Sequence, residues 1–213
     1  MATAVGVSAR AGDIHNFRRH VVIALSDASR LVIKPRSAFW EWLFFGQNSP
    51  IRSALGDSFL AGKNGVFGLQ VISCKPHLSQ VVYLERQVPS TPKNPNLVQE
   101  FLYQYGGLLA YAYVFGIEDL HIENLVQRGN RLQVVDVEVV FGNLCLPNQT
   151  HLFPLGNLTW SQTGLGHLKV NSVFSEPINL ESLLSGYLHA SIQISEKSEK
   201  ILSGLEPYRG ELT

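Results

Sequence analysis

Five polar side chains lie close together in a stretch of the chain that is otherwise apolar. They are Asp119, His121, Asn124, Asp136 and Glu138. Two short β-prone arms, 125–127 and 132–137, are joined through Gly129 and Asn130, a pair that supplies the positive φ angles of a tight hairpin turn. Folding of this hairpin would bring Asn124 close to Asp136. The sequence therefore predicts a polar site at the base of a β-hairpin.

These residue types are suited to phosphoryl transfer. A nucleoside triphosphate carries a magnesium ion, and Mg²⁺ prefers hard oxygen ligands such as carboxylates and amides. Asn124 and Asp136 can supply such ligands from the two ends of the hairpin, with Glu138 supporting the metal strand. Asp119 can orient an attacking hydroxyl, and His121 lies in the same loop. We therefore expect a site that binds ATP and Mg²⁺.

A simpler interpretation of the same residues is structural. In it, Asp119 caps a turn, Asp136 ends a strand and His121 is a half-buried ring. However, Asp136 interrupts a run of valines, where an unpaired buried charge would be costly. The hairpin spacing of several polar groups also favours the functional interpretation.

A lysine and a glutamate upstream can complete a nucleotide site. Lys34 ends the β-prone arm 30–33, which pairs with the arm 20–25 through the turn-forming run 26–29. A lysine at the end of a strand can neutralise phosphate oxygens. Glu41, in a helix predicted over 38–45, is the local candidate to orient it, and a plain surface charge is the alternative for Glu41.

A second acid and histidine, Asp13 and His15, precede the first strand that the pattern predicts. Taken alone, they indicate a turn and a solvated ring. The chain has no Gly-x-Gly-x-x-Gly motif. If a nucleotide binds, the segment 13–19 is therefore the candidate to cover its phosphates with backbone N–H groups and arginines.

The elements that must position these residues follow from periodicity. Strands are predicted at 68–74 and 80–85, with a loop at 55–67. Apolar residues recur every three or four positions over 97–115 and again over 180–202, which predicts two helices. The segment 151–169 is typical of a loop. The fold predicted is α+β and bilobal, like that of protein and lipid kinases: a small β-rich N-lobe at 1–86, a proline-rich linker at 87–96 and a more helical C-lobe at 97–213.

Composition narrows the class of protein. The chain of 213 residues is 45% hydrophobic and carries 17 basic and 17 acidic residues, so its net charge predicts no affinity for nucleic acid. The two cysteines, Cys74 and Cys145, lack the spacing of a metal site, which favours a reducing compartment. Neither a signal peptide nor a membrane-spanning run is evident, so we expect a cytoplasmic, bacterial protein.

Three blocks of the sequence resemble the dehydratase domain of class II lanthipeptide synthetases, whose core is similar to a lipid or protein kinase. Gly12-Asp13-Ile14-His15 resembles its Gly-Asp-x-His segment, and the run 31–37 resembles its Leu-Val-Tyr-Lys-Pro-Arg-Ser strand. The third block resembles its helix, catalytic loop and metal strand in order and spacing. This block consists of Gly107–Tyr113, Asp119–Leu125 and Val135–Phe141.

Those enzymes use ATP and magnesium to phosphorylate Ser and Thr of a precursor peptide, and they then eliminate the phosphate. The resemblance implies a set of roles here. Asp119 and His121 would be catalytic; Asn124, Asp136 and Glu138 would bind metal; Asp13, His15, Lys34 and Glu41 would complete the nucleotide site. Thr163-Gly164-Leu165 resembles a Thr-Gly-Leu-Leu stretch used in elimination.

The family's dehydratase domain is several times longer than this chain, and its cyclase carries zinc-binding Cys and His. We therefore expect a minimal, stand-alone form that performs the phosphorylation step on a peptide or protein substrate. A separate partner protein would serve elimination or cyclisation. The alternative is a non-catalytic module that binds nucleotide or leader peptide within a peptide-modifying complex, and a secreted kinase effector also remains open.

Overall fold

A computed structural model of the chain describes residues 2–15, 18–56, 59, 68–84, 94–128, 131–154, 156–157, 159–167 and 177–212; of residues 9–15, 18, 19 and 128 it describes the backbone only. The first part is a five-stranded antiparallel sheet with the strand order β1-β2-β3-β5-β4. The strands are β1 (Ala4–His15), β2 (Arg18–Leu25), β3 (Arg30–Lys34), β4 (Val71–Lys75) and β5 (Leu78–Val82).

The first strand corrects a prediction. Asp13 and His15 do not precede the first strand, because both lie within β1. This strand is at the edge of the sheet and pairs only with β2, through a register that shifts between Ala4 and Ile14. Val5 and Val7 are 66% and 69% exposed. Residues 4–8 of β1 are all exposed, so this part of the strand lacks the alternation of buried and exposed positions that identifies strands in a sequence.

The predicted hairpin formed by β2 and β3 is confirmed. Val21 pairs with Ile33, and Val22 pairs with Val32. On its other side β3 pairs with β5, where Lys34 lies opposite Ser79. The strand that carries Lys34 therefore lies in the middle of the sheet, with neighbours on both sides that fix its position.

Two short helices follow β3. The predicted helix at 38–45 is confirmed as α1 (Phe39–Phe45), which ends at Gly46. The second, α2 (Pro50–Leu55), was not predicted. Its N-cap is Ser49, whose hydroxyl accepts a hydrogen bond from the Arg52 N–H at 3.0 Å. Leu55 ends α2 and is not the start of a loop; most of the predicted loop at 55–67 lies outside the described residues.

Longer helices form the second part. The predicted buried helix is confirmed as α3 (Pro95–Val114), which begins after the N-cap Asn94. Most of the predicted linker at 87–96 lies outside the described residues. The helix predicted over 180–202 is divided into α4 (Pro177–Glu196) and α5 (Ser198–Leu205), and α6 (Arg209–Leu212) follows.

Glycines let α3 and α4 pack closely, because a Cβ on Gly186 would lie 1.9 Å from the Tyr103 carbonyl oxygen.

The predicted hairpin is present as β6 (Leu125–Arg128) and β7 (Arg131–Val134), with Leu125 opposite Val134. The second arm ends at Val134, three residues earlier than predicted. The N–H of Val135 still bonds across the hairpin, to the Asn124 carbonyl at 2.9 Å, but its carbonyl accepts from Lys34 Nζ at 2.9 Å.

Aromatic rings connect the elements in a mixed α+β core. The Tyr111 hydroxyl of α3 donates to the Phe44 carbonyl of α1 at 2.8 Å, and the two rings are 6.3 Å apart. On another side of α1, the ring of Trp42 lies 5.4 Å from that of Tyr208, which precedes α6. Among the helices of the described residues, none combines the length and the apolar character needed to cross a membrane.

Candidate functional site

The ammonium group of Lys34 lies at the centre of a polar network. Its Nζ donates to Glu41 Oε1 at 2.7 Å, to the Val135 carbonyl at 2.9 Å and to Asp136 Oδ1 at 2.9 Å. An ammonium has three protons to donate, and these three acceptors match them. Lys34 therefore links the central strand β3, the helix α1 and the segment that follows β7.

Arg36 is a second cation in this network, and the sequence analysis gave it no role. Its guanidinium donates to Glu41 Oε1 at 2.5 Å and contacts Asp136 Oδ1. Its Nε lies 3.3 Å from Glu138 Oε1. Asp136 and Glu138 are two residues apart in an extended segment, so their side chains share one face and both reach Arg36.

The Lys34 and Glu41 side chains are buried, so their charges interact strongly. Glu41 has no exposed side-chain surface, so the interpretation of Glu41 as a plain surface charge is wrong. Burial by itself would raise the pKa of Glu41, but the Lys34 and Arg36 charges outweigh burial and hold the pKa below its ordinary 4.5. Burial also lowers the pKa of Lys34, and the Glu41 carboxylate opposes that shift. The carboxylate is therefore ionised at neutral pH.

A cleft opens beside Lys34, between the sheet and the β6–β7 hairpin. Its volume is about 530 Å³. Lys34, Asn124 and Asp136 contribute polar groups to its lining. The apolar part of the lining comes from both sides of the cleft and includes Val22, Val32, Leu69, Val82, Val126 and Val135. A cleft lined by apolar side chains as well as by charged and polar groups fits a ligand that has a flat ring and an anionic tail.

Asn124 reaches the cleft from the start of β6. Its carbonyl accepts from the Val135 N–H at 2.9 Å, which places Asn124 across the hairpin from the residue before Asp136. The side-chain nitrogen donates to the Asp119 carbonyl at 2.8 Å. The amide oxygen is then the atom of this side chain suited to bind a cation.

Asp119 and two histidines form a second cluster. Asp119 has a φ of 62°, a left-handed conformation that Asp adopts more readily than most residues. Its Oδ1 lies 3.6 Å from His121 Nε2 and 3.4 Å from His151 Nδ1. His121 also accepts a hydrogen bond on Nδ1 from the Glu123 N–H at 3.1 Å. The sequence analysis missed His151, because it lies in a segment without periodicity.

The structure thus brings the predicted residues into two neighbouring groups. The first consists of Lys34, Glu41, Asp136 and Glu138, and the second of Asp119, His121 and Asn124. The side chains of Asp13 and His15 lie outside the described residues. Thr163, of the Thr-Gly-Leu stretch, is buried. Its hydroxyl donates to the Trp160 carbonyl at 2.9 Å, and its backbone forms a β-bridge with His121. The roles assigned to all these residues stay predictions.

A magnesium ion binds hard oxygen ligands, and Asp136 and Asn124 carry such oxygens. Within the described part of the chain, no group of three or more His, Cys, Asp or Glu side chains forms a protein-only metal cage. Magnesium is usually bound by one or two carboxylates together with substrate phosphates, so it does not require such a cage. One carboxylate, Asp136, and one amide, Asn124, at a cleft with room for phosphates therefore fit the ion.

Comparison with known proteins identifies the family of this chain. No curated protein matches the chain. A family model with the description "domain of unknown function (DUF4135)" matches residues 2–168, which include the sheet, α3, the β6–β7 hairpin and every residue of both groups. The chain therefore belongs to this family, which is associated with lanthipeptide synthetase-related proteins.

Proposed function

We propose that the chain is an ATP- and magnesium-dependent kinase that phosphorylates Ser or Thr hydroxyls of a peptide or protein. The observation that carries this proposal is the ion-paired set Lys34, Glu41 and Asp136 in and behind the wall of a cleft of about 530 Å³. In this proposal the five-stranded sheet with α1 is the small lobe of a kinase-like fold. The helices α3 and α4, with the β6–β7 hairpin, belong to the large lobe.

Four side chains in or behind the wall of the cleft have defined tasks in this proposal. Lys34 binds phosphate oxygens as a point charge, and Glu41 holds the ammonium in place from behind. Asp136 and Asn124 would hold the magnesium ion, which when bound neutralises phosphate charge and orients the transferred group. Two cations and three carboxylates leave one excess negative charge among Lys34, Arg36, Glu41, Asp136 and Glu138, which favours the arrival of a cation.

Asp119 would orient the acceptor hydroxyl. Its side chain is 41% exposed, so a substrate can reach it. Its backbone carbonyl accepts from Asn124, which ties the acceptor position to the metal position through one hydrogen bond of 2.8 Å. A carboxylate held in this way accepts the hydroxyl proton while the oxygen faces the phosphate, as in other phosphoryl-transfer sites. Phosphate elimination and ring formation would be left to a partner protein in lanthipeptide maturation in the cytoplasm.

Phosphoryl transfer tests the proposal directly. Purified protein is incubated with ATP labelled on its γ-phosphate, magnesium and Ser/Thr-rich peptides. We expect label on the peptide, and we expect Asp136→Asn to lower kcat by at least about 100-fold, because it removes a charge at the transferred group. Asp27→Asn, in the exposed turn after β2, is the matched control and should leave the rate unchanged. Absence of transfer to every peptide would contradict the kinase proposal.

A second candidate function has its own supporting observation. Arg36 and Lys34 both contact Asp136 Oδ1, so protein cations already neutralise the carboxylate that a magnesium ion would use. This favours a non-catalytic module that binds nucleotide or leader peptide as a scaffold of a peptide-modifying complex.

Thermal stability separates the two functions. Magnesium-ATP at 100 times its dissociation constant should add about 2.7 kcal/mol to the free energy of unfolding. Lys34→Met should remove most of that gain, whereas Lys75→Met, on the exposed end of β4, should keep it. Stabilisation without phosphoryl transfer would support the scaffold function, and stabilisation with transfer would support the kinase.

A further inference from the structure

His151 lies beside Asp119 although 32 residues separate them in the chain. Its Nδ1 is 3.4 Å from Asp119 Oδ1, and 27% of its side chain is exposed. The same oxygen faces His121 Nε2 at 3.6 Å. One carboxylate oxygen therefore lies between two imidazole rings that come from different segments.

One backbone hydrogen bond joins the segment around His151 to the loop that contains Asp119, and another joins it to Gly164. The Leu120 N–H donates to the Thr150 carbonyl at 2.9 Å, and the Gly164 N–H donates to the His151 carbonyl at 3.1 Å. Thr150 is buried, and its hydroxyl donates to the Pro147 carbonyl at 2.7 Å. These bonds fix the segment that carries His151 next to the loop that carries Asp119, and the His151 ring faces the Asp119 carboxylate.

The backbone of His151 is also unusual. Its φ is 62°, in the left-handed region that costs most residues about 1–2 kcal/mol. Gly adopts this conformation most readily, and Asn, Asp and His adopt it more often than other residues. His151 ends the short 3-10 turn at 147–150, and its N–H donates to the Asn148 carbonyl at 3.0 Å. This turn end places the His151 side chain beside Asp119.

The two rings differ in the proton that they can share with Asp119. In neutral His121, Nδ1 accepts from the Glu123 N–H, so the ring proton is on Nε2, the atom that faces Asp119. In His151 it is Nδ1 that faces Asp119. A neutral His151 can therefore stabilise the carboxylate only in its Nδ1–H form.

We propose that His151 is a positioning residue for Asp119: its Nδ1–H donates to Oδ1 and holds the carboxylate in the orientation that receives an acceptor hydroxyl. The catalytic part of this inference rests on the proposed kinase function. The hydrogen bond itself does not, so the two can be tested separately.

Substitutions at His151 separate the hydrogen bond from the backbone. His151→Asn and His151→Gly both tolerate the left-handed conformation. The Asn amide nitrogen is attached to Cγ as Nδ1 is, so it can replace the donor, whereas Gly cannot. We expect His151→Gly to lower kcat roughly 10- to 100-fold with little change in KM for ATP, and His151→Asn to recover most of the loss. Equal rates for both variants and the wild type would overturn the inference, and so would an equal loss in both.

Nuclear magnetic resonance of the imidazole nitrogens provides a readout that needs no activity. At about pH 8.5, where an imidazole is uncharged, we expect the neutral His151 ring to carry its proton on Nδ1. Asp119→Gly, which suits the positive φ and removes the acceptor, should shift that proton toward Nε2. The exposed His77, in the turn between β4 and β5, is the control ring and should not respond.

The outcomes are distinguishable. If the wild type transfers phosphate but His151 carries its proton on Nε2 in both proteins, the inference is wrong and the kinase proposal stands. If no peptide is phosphorylated, the kinase proposal fails, and the ring spectrum still decides whether His151 donates to Asp119.

Discussion

Glu41 lies between two tryptophans in the sequence, and in the structure it is a fully buried carboxylate that binds Lys34 and Arg36. A buried charge without partners is costly, and removal of one partner from a buried pair leaves the other uncompensated. The position of Lys34 in the cleft therefore depends on an acid that the ligand itself would not touch.

The first prediction concerns the stability contributed by this acid. Glu41→Gln keeps the shape of the side chain and removes its charge. Lys34 and Arg36 then lose one of the negative charges that face them. We expect the free energy of unfolding, measured in urea, to fall by about 3–5 kcal/mol. Glu199→Gln, on the exposed side of α5, should change it by less than about 0.5 kcal/mol. Equal values for the two variants would show that Glu41 is not structurally coupled to Lys34.

A second prediction at this scale concerns pH. The pKa of Glu41 is lower in the folded protein than its ordinary 4.5, so the unfolded chain binds more protons in acid. The contribution of Glu41 is complete above pH 4.5 and is lost as the pH falls through the folded pKa. We expect the difference in unfolding free energy between wild type and Glu41→Gln to shrink as the pH is lowered below 4.5. A difference that stays constant down to about pH 3 would contradict the lowered pKa.

At the scale of elements, the sequence predicted those whose pattern is local. The β2–β3 hairpin, α1, α3 and the β6–β7 hairpin each combine a periodic apolar run with a turn or cap residue, and each was placed correctly within a few positions. The strand β1 and the helix α2 were missed, because one is an edge strand whose residues 4–8 are all exposed and the other has only six residues.

The candidate site follows the same rule. Lys34 and Glu41 are seven residues apart, and Asn124 and Asp136 lie on one hairpin, so local spacing was enough to group them. Arg36 and His151 were not given roles. The contacts of Arg36 with Asp136, 100 residues away, and of His151 with Asp119, 32 residues away, form only after distant segments have folded together. The family motifs predicted the order of the site residues along the chain. The contacts of Arg36 and His151 could be found only from the folded structure.

The third prediction concerns the crossing of α3 and α4. A Gly-to-Ala change inside a helix usually stabilises by about 0.5–1 kcal/mol. At Gly186 the added Cβ would lie 1.9 Å from the Tyr103 carbonyl, so the two backbones must separate. We expect Gly186→Ala to lower the unfolding free energy by about 1–3 kcal/mol, as other overpacked cores do. Gly210→Ala, in α6 with no atom within 4 Å of its Cβ, is the control and should be neutral or stabilising.

At the scale of the whole molecule, one cluster of buried apolar side chains runs through both parts of the fold. It includes Leu43 of α1, Val81 of β5, Leu108 of α3 and Leu205 of α5. Elements that share a core lose it together, because exposing one face leaves the others unpacked.

The fourth prediction follows from this shared core. Urea unfolding monitored by tryptophan fluorescence and by far-UV circular dichroism should give coincident transitions. Trp160→Phe restricts the fluorescence to Trp40 and Trp42 in α1, and the midpoint should stay the same. Two separated transitions would show that the sheet and the helices unfold independently.

The contact between Trp42 and Tyr208 has a further consequence. The helix α1 carries Glu41 toward Lys34 on one face and rests on the ring of Tyr208 with another, at 5.4 Å from Trp42 and 6.0 Å from Phe39. Leu43, Phe44 and Phe45 anchor the helix in the core, and Tyr208 adds a contact from the last part of the described chain. The same helix therefore connects Tyr208 with the carboxylate that holds the Lys34 ammonium beside the cleft.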